Sequence, residues 1–149
     1  MINETIKLQG DLVITVTDKD GKVKERREEK NLIVSAGLTF ICSRMANATA
    51  GVMSHMAVGS GTTTPAAADT NLQSVLGARE PLDSTVASAN TVTYVSSFEA
   101  GEGTGAVTEA GIFNAATAGT MLCRTVFPVV NKGANDTMAI TWTITLSAS

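Results

Sequence analysis

A chain of 149 residues with a formal net charge of −3, 17% charged and only 4% aromatic side chains leaves few classes open. The length suits one domain, the charge argues against a nucleic-acid binder with its basic face, and no apolar run reaches the ~18 residues a membrane span requires. The opening MINETIKLQG lacks the pattern of a signal peptide, so a soluble chain made in the cytoplasm is expected.

Leu12, Ile14 and Val16 alternate with Val13, Thr15 and Thr17, which is strand periodicity. Asp18 to Gly21 is turn chemistry, and a second strand should run from Lys22 toward Ile33. The segment from Asp18 to Lys30 holds 11 of the 25 charges in the chain, six basic and five acidic. Residues 1–34 therefore read as a charged β-hairpin arm, and residues 35–149 as a single body that should fold without it. Lys22, Lys24, Arg26, Arg27, Glu28 and Glu29 are the candidate partner-interface residues, because mixed-sign charge suits ion pairs between subunits better than nucleic acid.

Ser35 is placed to cap the one good helix, where Leu38, Ile41, Cys42 and Met45 recur at helical spacing. His55 to Val58 is a short strand, Gly59 to Pro65 a loop, and Asp69 to Leu72 opens a helical turn. That turn points Leu72, Val75 and Leu76 inward and closes at Gly77. Thr91 to Phe98 is a strand with Val92, Tyr94 and Phe98 on one face. Ala110–Phe113 and Met121–Phe127 flank the small residues 114–119 as a hairpin, which Pro128 should stop. Met138, Ile140, Trp142, Ile144 and Leu146 alternate with threonines in the cleanest strand of the chain. The expected fold is mainly β, an antiparallel sandwich or barrel-like body with one main helix.

No catalytic constellation emerges. His55 is the single histidine, set in an apolar strand where packing or hydrogen bonding is the expected role. There is no G-x-S-x-G nucleophile motif. Cys42 and Cys123 lack metal-ligand spacing and read as small, reduced, buried hydrophobes. The Gly59-Ser-Gly61 and Gly101–Gly105 loops could cradle an anion through backbone amides, but neither has the Lys-Ser/Thr ending of a P-loop. They read as turns. Glu99, Glu102 and Glu109 show no regular calcium-ligand ladder. No metal, cofactor or enzymatic activity is expected. A body rich in Thr, Ala, Ser and Gly with a thin coat of charge is suited to lying against neighbours.

The segment Ser54 to Gly61, a Pro65-containing loop and Asp69-Thr-Asn-Leu72 resemble the start of a bacteriophage tail-collar fibre domain. Val107 to Asn114, Leu122 to Pro128, Lys132 and a final alternating strand continue the resemblance across residues 54–146. Asn114 stands where that family often has Asp, and such domains usually lead a much longer fibre. The lead-in Lys30 to Gly37 resembles short free-standing phage virion proteins, called tail fibre or capsid decoration proteins. The resemblance implies a virion structural protein assembled in the bacterial host cytoplasm, a homo-oligomer and commonly a trimer, with no catalytic residues. Its partner would be the major capsid protein or neighbouring tail proteins. With no repeat and no coiled coil to reach outward, a capsid cement protein is the first expectation, and a tail, collar or fibre-base component the second. A glycan- or ligand-binding sandwich, using the glycine loops with Tyr94 or Trp142, is a third.

Overall fold

A computed structural model describes residues 4–46 and 50–148. Two antiparallel sheets face each other. One has the order β2-β1-β10-β7-β6, from β1 (Ile6–Thr17), β2 (Val23–Lys30), β6 (Ser84–Ser88), β7 (Thr91–Phe98) and β10 (Thr137–Ala148). The other has the order β3-β9-β8-β4-β5, from β3 (Leu32–Ile33), β4 (His55–Gly59), β5 (Glu80–Pro81), β8 (Gly105–Phe113) and β9 (Met121–Lys132). The expected mainly-β, sandwich-like body with one helix, α1 (Ser35–Met45), is what the chain forms.

Period two places the core. On β10, Met138, Ile140, Trp142 and Ile144 are buried, and Leu146 packs partly against them. From the opposite sheet come Met56, Val58, Ile112, Leu122, Cys123 and Phe127. The Trp142 ring is fully buried, and its Nε1 donates to Asn31 Oδ1 at 3.1 Å. Trp142→Ala should therefore cost about 3–5 kcal/mol in urea unfolding, as truncation of a large buried ring does. A loss below about 1 kcal/mol would mean the cavity collapses without penalty.

The N-terminal hairpin is present, but it is not set apart from the body. β1 pairs with β10 along its whole length, from Ile6 opposite Ala148 to Thr17 opposite Thr137. Leu12, Ile14 and Val16 are core residues. The boundary drawn at residue 34 followed the charges, whereas the apolar alternation just before them belongs to the main core. β2 alone has the charged character expected of an arm.

Four further expectations are corrected. Ser35 is the first helical residue; the cap position is Val34, which makes no side-chain capping bond. The helix does not bury Leu38, Cys42 and Met45, which are exposed. Of the expected four only Ile41 packs on the core, and it does so beside Gly37 and Phe40. Gly37 dictates that face, because a Cβ there would collide with the Leu122 carbonyl of β9. Asp69 to Gly77 forms no helical turn; it is an irregular loop touching β4 through one bridge between Val75 and Gly59. In that loop Leu72 is buried and Leu76 packs partly on the core, but Val75 is exposed. Pro128 does not stop β9. Val107 pairs with Val130 and Glu109 with Val126, so Pro128 sits in a bulge, where its missing N–H breaks no ladder bond.

The β8–β9 hairpin has the expected small-residue loop, closed by Asn114, whose Oδ1 accepts from the Thr120 amide at 2.7 Å. Arg79 holds it from outside. Its Nη1 donates to the Ala115 and Ala118 carbonyls at 2.8 and 2.7 Å, and its guanidinium lies 3.6 Å over the Phe113 ring.

Candidate functional site

The most chemically loaded place in the molecule is internal. Glu109 on β8 and Arg124 on β9 are both fully buried, in the middle of largely apolar strands. Arg124 Nε donates to Glu109 Oε2 at 3.0 Å; Nη2 also lies 2.9 Å from that oxygen, but outside hydrogen-bonding geometry. Arg124 Nη1 donates to Asp69 Oδ2 at 2.9 Å. The carboxylate of Glu109 then gathers a loop around itself. Oε1 accepts from the amides of Gly61 and Ser74 at 3.0 and 2.7 Å, and Oε2 accepts from the Gln73 amide at 3.0 Å. Thr108 adds a bond from Oγ1 to the Gly61 carbonyl at 2.8 Å.

Gly61 accordingly cradles an anion through its amide, but the anion is the chain's own carboxylate. A Cβ at Gly61 would stand 2.5 Å from Glu109 Oε1, and one at Gly59 would meet both the Ser74 carbonyl and Glu109. The glycines are there so that the backbone can approach Glu109. A buried charge is tolerable only when paired and hydrogen-bonded, and here the cradle and Arg124 do both. The arrangement organises the loop from Gly59 to Leu76 and leaves no oxygen pointing at an open cavity.

The six candidate interface residues lie on or beside β2, the edge strand of the first sheet. Arg26 and Glu28 pair with each other at 3.0 Å on the exposed face. Glu25, Arg27 and Glu29 face the other way, opposite the core residues Val16, Ile14 and Leu12. Arg27 pairs with Glu25 and, at 3.7 Å, with Glu29, and donates to the Pro128 and Val129 carbonyls of β9. It thus closes the open side of the sandwich across to the second sheet. Lys24 reaches Asp136 at 2.6 Å, and that bond, with the Gly133 amide, holds the Asp136 carboxyl below its usual range. Lys22 is exposed, and its amide donates to Asp18 Oδ1 in the turn. These ion pairs lie within the chain.

The other expected residues are placed as follows. His55 is half-buried and shares a 2.8 Å hydrogen bond with Ser54 Oγ. Cys123 is buried, which pushes its thiol well above the ordinary value, whereas Cys42 is exposed on α1 against expectation. Tyr94 is nearly buried, and burial pushes its hydroxyl up to about 12. Lys132 is buried with Nζ donating to the Glu99 carbonyl at 2.9 Å; burial lowers its pKa against the raising influence of Asp136, Glu102 and Glu99. Among the described residues no group of three or more His, Cys, Asp and Glu side chains is arranged to hold a metal ion.

An apolar concavity is also present. Phe40, Ile41 and Arg44 of α1, Val52 and Met53, Thr85 and Ala87 of β6, and Tyr94, Ile144 and Leu146 line a groove of about 360 Å³ between the sheets. No family model matches the chain, and no curated protein or solved structure is significantly similar to it.

Proposed function

We propose that this chain is a non-enzymatic structural protein of a bacteriophage virion, and that it decorates and stabilises the capsid. The observation that supports this best is the outward face of the β2-β1-β10-β7-β6 sheet. Its cross-strand rows are neutral over most of their width: Val13, Thr141, Val95 and Ser84 form one, and Thr15, Ala139 and Ser97 the next. In a third row Thr143 and Thr93 sit side by side with hydroxyls 3.2 Å apart. Between β1 and β6 such a face presents hydroxyls and small apolar groups, and the charges it carries, Asp11 paired with Lys30 at 2.7 Å and Asp83 beside Ser97, lie toward its margins. The charged rim at β2 flanks it, with Arg26 and Glu28 pointing out on the same side. A neutral field with a charged margin fits a broad, shallow contact with the major capsid protein.

The second reading, a tail, collar or fibre-base component meeting neighbouring tail proteins, rests on the likeness of residues 54–146 to tail-collar domains. In either case the chain is a self-associating component of the particle, assembled in the bacterial cytoplasm. Quantitative mass spectrometry of purified particles separates the two. A copy number in the hundreds, commensurate with the capsid lattice, is the expected result. A small multiple of the tail symmetry would move the protein to the tail, and absence from particles would end the virion reading altogether.

A further inference from the structure

A strand that ends a sheet offers a row of unpaired backbone donors and acceptors, and proteins blunt such edges with charge, proline, shortness or cover. Four strands end the two sheets here: β2, β6, β3 and β5. β2 carries charge at seven of its eight positions, including inward-facing Glu25, Arg27 and Glu29. β3 and β5 are two residues long, and β5 contains Pro81. β6 has none of these devices. Ser84-Thr-Val-Ala-Ser88 is uncharged, free of proline and in unbroken register with β7, and all five residues are exposed. Among the described residues no strand lies on its free side.

We infer that β6 pairs with the β6 of a second copy of this chain, antiparallel across a two-fold axis at Val86, and makes one continuous sheet from two. The sequence of the strand fits that operation. Centred on Val86, each Ser84 meets a Ser88, each Thr85 meets an Ala87, and the two Val86 side chains meet each other. A two-fold axis sets like against like, so any charge near its centre would repel its own copy. β6 has none, and the nearest, Asp83, falls opposite Ala89, beyond the strand. Val86, 58% exposed on the outward face, gains an apolar partner.

On the inward face the same pairing covers the apolar groove. Thr85 and Ala87 form its β6 wall, so an added strand extends that wall over the open side. The need for such cover shows nearby, where Val52 is 61% exposed and Met45, one turn beyond Ile41 on α1, is 85% exposed. Five residue pairs alone bury far less than the roughly 800 Å² per partner of a stable interface. The groove and its rim supply the apolar area that the strand lacks. The pairing is two-fold, so it differs from the three-fold association implied by the tail-collar resemblance. It is also independent of the virion reading: a monomer could still occur in particles, and a dimer need not.

The test is native mass and sedimentation of the full chain over a range of concentrations, with two variants. The wild type should populate even-numbered assemblies. Val86→Lys should keep the β-rich circular dichroism but weaken association about tenfold, because like charges directly opposite destabilise a cross-strand pair. Val86→Cys in a Cys42→Ser background should form a covalent dimer under mild oxidation. Directly opposed residues in antiparallel strands have Cα atoms about 4.5–5.5 Å apart, within disulfide reach. A wild type that stays monomeric at all concentrations, or an oligomer indifferent to Val86→Lys that does not cross-link through position 86, overturns the inference.

Discussion

A chain beginning at Ser35 will not fold. Removing residues 1–34 strips Leu12, Ile14 and Val16 from the core, and each is at most 1% exposed. Burial of one such side chain is worth roughly 1.5–3 kcal/mol, while a domain of this size has only about 5–15 kcal/mol of stability in total. The loss is compounded at β10, because β1 supplies its entire ladder on one side. Without it the strand carrying Trp142 becomes a long apolar edge, which invites aggregation. The expected result is that the 35–149 fragment shows no cooperative urea transition and collects in the insoluble fraction. A fragment that unfolds cooperatively, with native-like circular dichroism, would mean that the second sheet can close the core alone. A gentler probe of the same contact is Ile14→Ala, which should cost about 2–5 kcal/mol in the intact chain.

What could be read in advance followed from how local each signal is. Five apolar residues at period two on β10, and two β-prone runs around a small-residue loop, need no partner to be recognised. The register was not legible, because Phe113 lies opposite Met121 but the pairing shifts at once to Ile112 opposite Cys123. The arm was misjudged because the charges of β2 are conspicuous, while the core residues of β1 lie in the same hairpin, Val16 only two positions before the charged run begins at Asp18. The face of α1 was misjudged because apolar spacing alone nominates Leu38, Cys42 and Met45. What decides it is a backbone approach that only Gly37 permits. The β6 edge gives no sequence signal of its own, since its exposure is a property of strand order.

The Glu109 cradle was missed for a different reason. Each of its parts was visible, but as something else: the glycine loop as a turn, Glu109 as a member of an acidic trio, and Arg124 not at all. The available clue was pairing. Glu109 and Arg124 are opposite charges in the apolar middle of facing strands, two positions out of register, with Gly111 opposite Arg124 and Val126 opposite Glu109. On a hairpin, residues so placed share a face, and a buried acid can persist there only with a base beside it.

That pair carries the last large effect. Arg124→Ala should cost about 3–5 kcal/mol, because it leaves Glu109 charged, buried and short of its counter-ion. Exchanging both residues for apolar ones of similar volume, Glu109→Leu with Arg124→Met, should cost markedly less than the sum of the single changes. The double change leaves no fully buried charge unpaired, and only Asp69, at the partly exposed end of the network, loses its arginine. The loop separates the two roles of the carboxylate. In Arg124→Ala the Gly61, Gln73 and Ser74 amides keep Glu109 as their acceptor, so their hydrogen exchange should stay slow relative to global unfolding. In the double variant those three donors lose their acceptor, and the 59–76 loop should exchange early although the sandwich remains folded. Measuring stability by urea and protection by exchange on the same samples decides the matter. If the three amides stay protected without Glu109, the loop is held by its own packing through Leu72 and Leu76. If Arg124→Ala costs less than about 1 kcal/mol, the cradle alone satisfies the buried charge and the arginine serves only Asp69.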